Sequence, residues 1–281
     1  MEYVYPDVLV NTQWINDHLN DPKVRILEVD YNPSTSYLLG HIPGSLLFEW
    51  KRDLLDSTKR DVIPKDSLED SLQRAGINND TILIVYGDFK NWFATFAFWI
   101  FKYYGFQDVR LMNGSRKKWF EEDRPLSFDI PSYPRGTFKA SDPDNSIRAF
   151  MNYVRGDVIG SQDKILIDVR SNDEYEGKIL AQSEYSTEYG QLGGHIPGAV
   201  NVPWTQMFKE DDTFKPAEEL KKLYDSLNVV PDKEVVTYCG IGERASYTWF
   251  VLKYLLGYPN VKIYDGSMLE WGNTLGNPIE K

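Results

Sequence analysis

The strongest constraint on this sequence is that it repeats itself. Gly40-His41-Ile42-Pro43-Gly44-Ser45 recurs as Gly194-His195-Ile196-Pro197-Gly198-Ala199. Tyr104-Gly105-Phe106, Val109, Asn113-Gly114-Ser115 and Trp119 recur as Leu256-Gly257-Tyr258, Val261, Asp265-Gly266-Ser267 and Trp271. Ile26-Leu27-Glu28-Val29-Asp30 recurs as Leu166-Ile167-Asp168-Val169-Arg170. Motifs in the same order at similar spacing mean two copies of one structural unit. A chain of 281 residues is long enough for both copies to fold as domains. Three prolines between Pro125 and Pro134, with few periodic apolar positions, mark a linker. The expected domains are residues 1–126 and 137–281, joined by a linker at 127–136.

Each copy alternates short apolar runs with helical patterns. In the first, strands are expected at Val8–Val10, Val24–Val29, Leu46–Phe48, Thr81–Tyr86 and Val109–Leu111. Helices are expected at Thr12–Leu19, Pro64–Ala75, Phe93–Tyr104 and Ser115–Phe120, with Leu54–Val62 as a loop. In the second, helices are expected at Ser146–Val154, Ala217–Ser226 and Ala245–Leu256, and strands at Lys164–Val169, Glu234–Tyr238 and Val261–Tyr264. Ser171–Gly190 is polar, tyrosine-rich and longer than its counterpart; it is expected to be an insertion loop over the site, and a lid is one role for it. Uniformly apolar strands alternating with helices imply an α/β fold, a mainly parallel sheet with helices on both faces of each copy.

The second copy carries the only cysteine, in Tyr238-Cys239-Gly240-Ile241-Gly242-Glu243-Arg244-Ala245-Ser246. Cys239 follows an apolar strand and precedes a helix, so it sits where open α/β sheets bind ligands. The two glycines let backbone N–H groups converge into an anion-binding nest. The helix N-terminus and the Arg244 charge add to it. All three favour thiolate over thiol, against a free cysteine pKa of about 8.5. The bland alternative is a small buried hydrophobe.

The net charge of −11 argues against nucleic-acid and anionic-membrane partners. One cysteine excludes an internal disulfide framework and fits a reducing compartment. Met1–Pro6 is short, polar and acidic, unlike a secretory leader, so a cytoplasmic location is expected. The longest apolar stretch, Trp92–Phe101, is too short to cross a bilayer and reads as a core helix. Three histidines and one cysteine offer little for a transition-metal site.

These residues together resemble the rhodanese superfamily in its tandem form, and most closely the prokaryotic thiosulfate sulfurtransferases. The resemblance rests on both His-Ile-Pro-Gly turns, Asp168-Val169-Arg170, the Cys239–Arg244 loop and the run through Leu252, and Asp265-Gly266-Ser267. It implies a catalytic second domain. The first domain has Gly87 opposite Cys239 and Trp92 opposite Arg244, so it is expected to be inactive and to line one wall of a shared cleft. The implied chemistry is attack by Cys239 on the outer sulfur of a small anionic donor such as thiosulfate. A persulfide forms and is passed to cyanide or a thiol. Gly240, Ile241, Gly242, Glu243 and Arg244 form the persulfide and anion-binding loop. No metal or organic cofactor is implied. Tandem members complete their cleft within one chain, so a monomer suffices.

Two departures bear on the donor. Gly240 stands where many thiosulfate enzymes carry a basic residue, as is often seen in 3-mercaptopyruvate sulfurtransferases. Against that, Asp173-Glu174-Tyr175-Glu176-Gly177-Lys178 holds no arginine for a mercaptopyruvate carboxylate. Thiosulfate is the favoured reading and 3-mercaptopyruvate the alternative. A cysteine phosphatase or arsenate reductase would have five residues between cysteine and arginine, not the four here, and Glu243 would repel a phosphate dianion. A non-catalytic binding or regulatory module is the alternative of another class. Lys178, His41 and Asp30 are candidate substrate contacts, each with a structural alternative: a solvated lysine, a turn-fixing histidine, a paired strand-end carboxylate. Asp168–Arg170 reads as a structural pair, His195 as a turn-fixing residue, and Arg244 as either an anion ligand or a brace for the loop.

Overall fold

The computed structural model describes residues 2–181 and 189–281. The chain divides into two compact units. The N-terminal unit comprises Asp7–Asp144 with Lys209–Phe214, and the C-terminal unit Met1–Pro6, Asn145–Phe208 and Lys215–Lys281.

The N-terminal unit is built on β1 (Leu9–Val10), β2 (Val24–Asp30), β3 (Leu46–Glu49), β4 (Ile82–Gly87) and β5 (Val109–Met112). Its helices are α1 (Thr12–Asp17), α2 (Trp50–Asp53), α3 (Lys65–Arg74), α4 (Trp92–Tyr103) and α5 (Arg116–Glu121). The strands are all parallel in the order β1-β5-β4-β2-β3. The central strands are apolar on both faces because helices cover both. Asn11 caps α1 through Trp14 N–H, and Ser115 caps α5 through Lys117 N–H. Pro64 precedes α3, and Gly76 follows it at φ +72, a conformation that favours glycine. The apolar stretch at Trp92 is α4, buried over nearly its whole length.

The C-terminal unit repeats the sheet with β6 (Arg148–Ala149), β7 (Lys164–Asp168), β8 (Val200–Asn201), β9 (Glu234–Tyr238) and β10 (Val261–Tyr264), all parallel in the order β6-β10-β9-β7-β8. Its helices are α6 (Met151–Tyr153), α7 (Asn172–Tyr175), α8 (Ala217–Asp225), α9 (Ala245–Phe250) and α10 (Ser267–Trp271). Both units are thus α/β with the same strand order.

The expected helix over Ser146–Val154 is a correction. Arg148 and Ala149 pair with Ile263 and Tyr264 as a sheet-edge strand, and α6 begins only at Met151. The pairing and the Arg148 fork onto Asp265, with both bonds at 2.8 Å, override local helix propensity. The helix over Ala245–Leu256 also changes type. After Phe250 it continues as a π-helical turn, closed by Leu256 N–H on Val251 O at 2.9 Å. Within Ser171–Gly190, Asn172–Tyr175 is helical rather than loop. Residues 182–188 of that segment, and with them the lid question, lie outside the described residues.

Each unit holds its Gly-His-Ile-Pro-Gly turn with a buried tyrosine. Ile42 N–H donates to Tyr86 Oη, and Ile196 N–H to Tyr238 Oη, each at 3.1 Å. An arginine finishes the job from different places in the chain. Arg116 on α5 pairs with Glu28 at 2.6 Å and donates to Gly40 O, whereas Arg170 just past β7 pairs with Asp168 at 2.6 Å and donates to Gly194 O at 2.7 Å.

The N-terminal unit also buries excess acid. Asp88 follows β4 close to Asp30 at the end of β2, and burial followed by the Asp30 charge pushes Asp88 up to about 8. A carboxyl raised on folding contributes stability that is fully present below its unfolded value of about 3.9. That contribution is lost as pH rises through the folded value near 8. Asp88→Asn therefore should raise the melting temperature by several degrees at about pH 9 and change it little at about pH 5. Thermal melts of both proteins at the two pH values check the sign.

Candidate active site

Cys239 stands at the end of β9, the central strand of its sheet, and is fully buried. The chain turns there because Gly242 adopts φ +109, which aims its N–H back at Cys239 Sγ at 3.1 Å. Ala245 N–H, at the start of α9, also bonds the sulfur. Outside the loop, Cys239 N–H donates to Ser267 Oγ at 3.0 Å. Met268 N–H and Leu269 N–H donate to Cys239 O at 3.1 Å and Gly240 O at 2.8 Å. The segment Asp265–Leu269 is thus a cradle under the loop.

Arg244 is a brace by its bonds. Its two terminal nitrogens each donate to one Glu174 oxygen at 2.8 Å. Glu174 is fully buried and closes a capping box with Ser171 at the start of α7. Burial alone would raise Glu174, but the Arg244 bonds and charge hold it below the ordinary carboxylate range, and raise Arg244 in turn. The pair ties the loop after β9 to the helix after β7.

The electrostatics of the thiol differ from the sequence expectation. Burial, the largest effect, pushes the Cys239 thiol up; the Arg244 charge and the N–H groups of Ala245 and Gly242 pull it down, and the buried Glu243 pushes it up again. The net direction is upward. Glycines, a helix N-terminus and Arg244 are visible in the sequence, but the burial that disfavours the charged form of any group is not.

Asp168, Arg170 and His195 lie inside the same unit as supports. Arg170 Nε contacts Asp168 at 3.0 and 3.1 Å. His195 stacks on Tyr175 at 3.6 Å and shares a hydrogen bond between Nδ1 and Tyr175 O. Lys178 is exposed and ion-paired with Asp173 and Glu176. Ser171, Asn172, Asp173, Pro203, Trp204 and Gln206 line a cleft of about 390 Å³ at the same end of the sheet. In the N-terminal unit, His41 is buried, stacked on Tyr37 at 3.8 Å, with its two ring nitrogens near Tyr37 O and Asp129 O. Asp30 is buried and accepts from Ser36 Oγ and Tyr37 N–H. Gly87 occupies the position matching Cys239, its N–H taken by Asn91 Oδ1 at 2.8 Å.

A lone cysteine in a strand-to-helix loop, inside the second of two like parallel sheets, now has its family match. The rhodanese-like domain family matches residues 11–122 and again 156–274. The chain belongs to the rhodanese family. It is 50% identical over 283 residues to the "Sulfur carrier protein TtuD" of Thermus thermophilus, covering 100% of this chain and 99% of that protein. It is 49% identical to a "Putative thiosulfate sulfurtransferase" of Mycolicibacterium smegmatis, covering 98% of each. A solved EanB variant with a cysteine persulfide in a tetrahedral intermediate state with ergothioneine superposes with a TM-score of 0.88 at 25% identity, over 99% of this chain and 71% of that one. Among the described residues no helix is long and apolar enough to cross a membrane.

Three rhodanese site features escaped the sequence reading. Glu174 stood in it only within a stretch that lacks arginine, although Ser171-x-x-Glu174 is a legible capping-box pattern. Ser267 was visible in the repeated turn, but its bond to Cys239 was not. The Arg148–Asp265 pair had no local signal, being 117 residues apart.

Proposed function

We propose that this protein is a sulfurtransferase that carries a sulfane sulfur on Cys239, taking it from thiosulfate and passing it to cyanide or a thiol. The observation that carries the reading is the buried Sγ facing the N–H groups of Gly242 and Ala245 in a loop held from outside. The thiolate attacks the outer sulfur of thiosulfate. The new bond is Cys239 S–S, the bond broken is the donor's S–S bond, and sulfite leaves with its electron pair. The persulfide anion then gives its terminal sulfur to the acceptor and regenerates the thiolate. Backbone N–H groups stabilise the negative sulfur in both steps without reorganising. Burial raises the resting thiol, while the Arg244 charge and the loop N–H groups pull it the other way.

The N-terminal copy is a non-catalytic partner in this reading, since Gly87 offers no nucleophile. The names of the relatives, a sulfur carrier and thiosulfate sulfurtransferases, support the same chemistry. Gly240 favours 3-mercaptopyruvate as the second reading of the donor.

Intact-protein mass spectrometry tests both. Thiosulfate should add one sulfur atom to the wild type and none to Cys239→Ala. A gain from 3-mercaptopyruvate alone would keep the persulfide and replace the donor. No gain from either would remove the sulfurtransferase reading and bring forward a non-catalytic binding module.

A further inference from the structure

We propose that Ser267 is a positioning residue for Cys239: its buried hydroxyl holds the cysteine's backbone N–H and thereby sets where the sulfur points. The inference rests on the sulfur-transfer reading for its kinetic arm only.

The two copies supply the comparison. Asn113-Gly114-Ser115 and Asp265-Gly266-Ser267 are matching turns, yet their serines behave differently. Ser115 has φ −81 and is an ordinary helix cap, accepting from Lys117 N–H at 3.2 Å. Ser267 has φ +52, a left-handed conformation uncommon for a residue with a side chain. Such outliers persist where the surroundings over-determine them, and they concentrate at functional sites. Here the surroundings are on view. Ser267 Oγ donates to Tyr264 O at 2.9 Å, which leaves its lone pairs for Cys239 N–H at 3.0 Å. The hydroxyl is fully buried, so water does not compete for either bond. In the N-terminal copy the matching N–H, that of Gly87, is taken instead by Asn91 within its own loop. Only the copy with the nucleophile turns this serine towards the residue after the central strand.

The consequence for the sulfur is geometric. Cys239 N–H is bound by Ser267, and the next two carbonyls by Met268 and Leu269 N–H. The peptide planes on both sides of the cysteine Cα are therefore fixed to one short segment. That segment is itself fixed by the buried Arg148–Asp265 fork. With the Cα frame held, Sγ meets Gly242 N–H at 3.1 Å. Without the Ser267 bond the Cys239 N–H is left buried and unmatched, its peptide is held only through Tyr238 O on Val169 N–H at 3.0 Å, and the peptide tilts so that the sulfur shifts from the N–H groups that stabilise its anion. Misplacement of a reacting atom by about 1 Å costs on the order of a hundredfold in rate.

Ser267→Ala and Ser267→Gly separate positioning from simple stability. Both remove the hydroxyl, but glycine relieves the left-handed backbone and so keeps a folded variant in hand. The single cysteine makes iodoacetamide alkylation a direct report on Cys239 that needs no assumption about substrate. Both variants should show the alkylation inflection at higher pH than the wild type, because the thiolate loses N–H donors. With thiosulfate as donor and cyanide as acceptor, both should lose roughly ten- to hundredfold in kcat with KM within about twofold. Wild-type kinetics and inflection in Ser267→Gly would overturn the proposal and leave backbone strain as the serine's only role. A lowered melting temperature with unchanged alkylation profiles would overturn it too. Should the wild type take no sulfur from thiosulfate while the alkylation profiles shift as expected, the donor reading fails and the positioning role stands.

Discussion

Replacing Glu174 with alanine is expected to destabilise the C-terminal unit by about 3–5 kcal/mol, the cost of leaving one member of a buried ion pair behind. Glu174 is fully buried, and both of its oxygens bond the Arg244 guanidinium at 2.8 Å. The guanidinium stays charged at any accessible pH, so removal of the carboxylate cannot be relieved by a proton. The capping box at α7 goes with it, since Glu174 also accepts from Ser171 N–H and Oγ. At roughly 2–4 °C per kcal/mol for a domain of this size, the melting temperature should fall by about 10 °C. Sulfur loading should fall as well, because Arg244 closes the Cys239 loop. A double change, Glu174→Met with Arg244→Met, should recover much of the stability and none of the loading, since an apolar pair can replace a buried ion pair energetically. The pH dependence has a definite sign. The carboxyl is depressed in the folded state, so its stabilisation is present above the ordinary glutamate value and is lost as pH falls through the lowered one. Acid should therefore narrow the gap between wild type and Glu174→Ala. A shift of the melting temperature below about 2 °C at neutral pH would show that the pair braces nothing.

The fold was legible in the sequence because its signals are local and doubled. Glu234–Tyr238 and Val261–Tyr264 form strands over the expected residues, since short stretches rich in β-branched and aromatic residues between turns read as strands of a parallel sheet. The repeat then lent each copy the evidence of the other. What failed was short or non-local. Two-residue β6 carries no periodicity, and only its place beside β10 and the Arg148 fork make it a strand. β8 and α10 were not among the expected elements: each is too short to declare itself, although the repeat sets Val200 opposite Leu46 and Ser267 opposite Ser115. The same division runs through the site. The Cys239 loop was readable from its glycines, whereas Glu174, Arg148 and Ser267 act across 70, 117 and 28 residues of chain. Burial was the other blind spot: sequence shows that Arg244 is cationic, but not that Cys239 is dry, and desolvation decides the direction of its shift.

Gly242→Ala is expected to lower the rate of sulfur loading by about a hundredfold or more, the usual cost of removing one preorganised N–H donor from a developing anion. The loop contains two glycines that look equivalent in sequence and are not. At Gly242 the backbone has φ +109, and an added Cβ would lie 2.6 Å from Asp265 O and 3.0 Å from Asp265 Cα. Neither atom can retreat cheaply, since they are backbone and the Asp265 side chain is gripped by Arg148 in a buried fork. The loop must move instead, and the group that moves is the N–H now 3.1 Å from Cys239 Sγ. At Gly240 the backbone is not left-handed, and a Cβ would meet only Arg244 Nη2 at 3.0 Å, the end of a side chain. Gly240→Ala should therefore lose markedly less, through a small displacement of the Arg244 brace. Rapid-mix sulfur loading from thiosulfate, followed by intact mass, compares the two variants on the same scale. A larger loss at Gly240 than at Gly242 would mean that the space beside the guanidinium, and not the N–H aimed at the sulfur, limits the reaction.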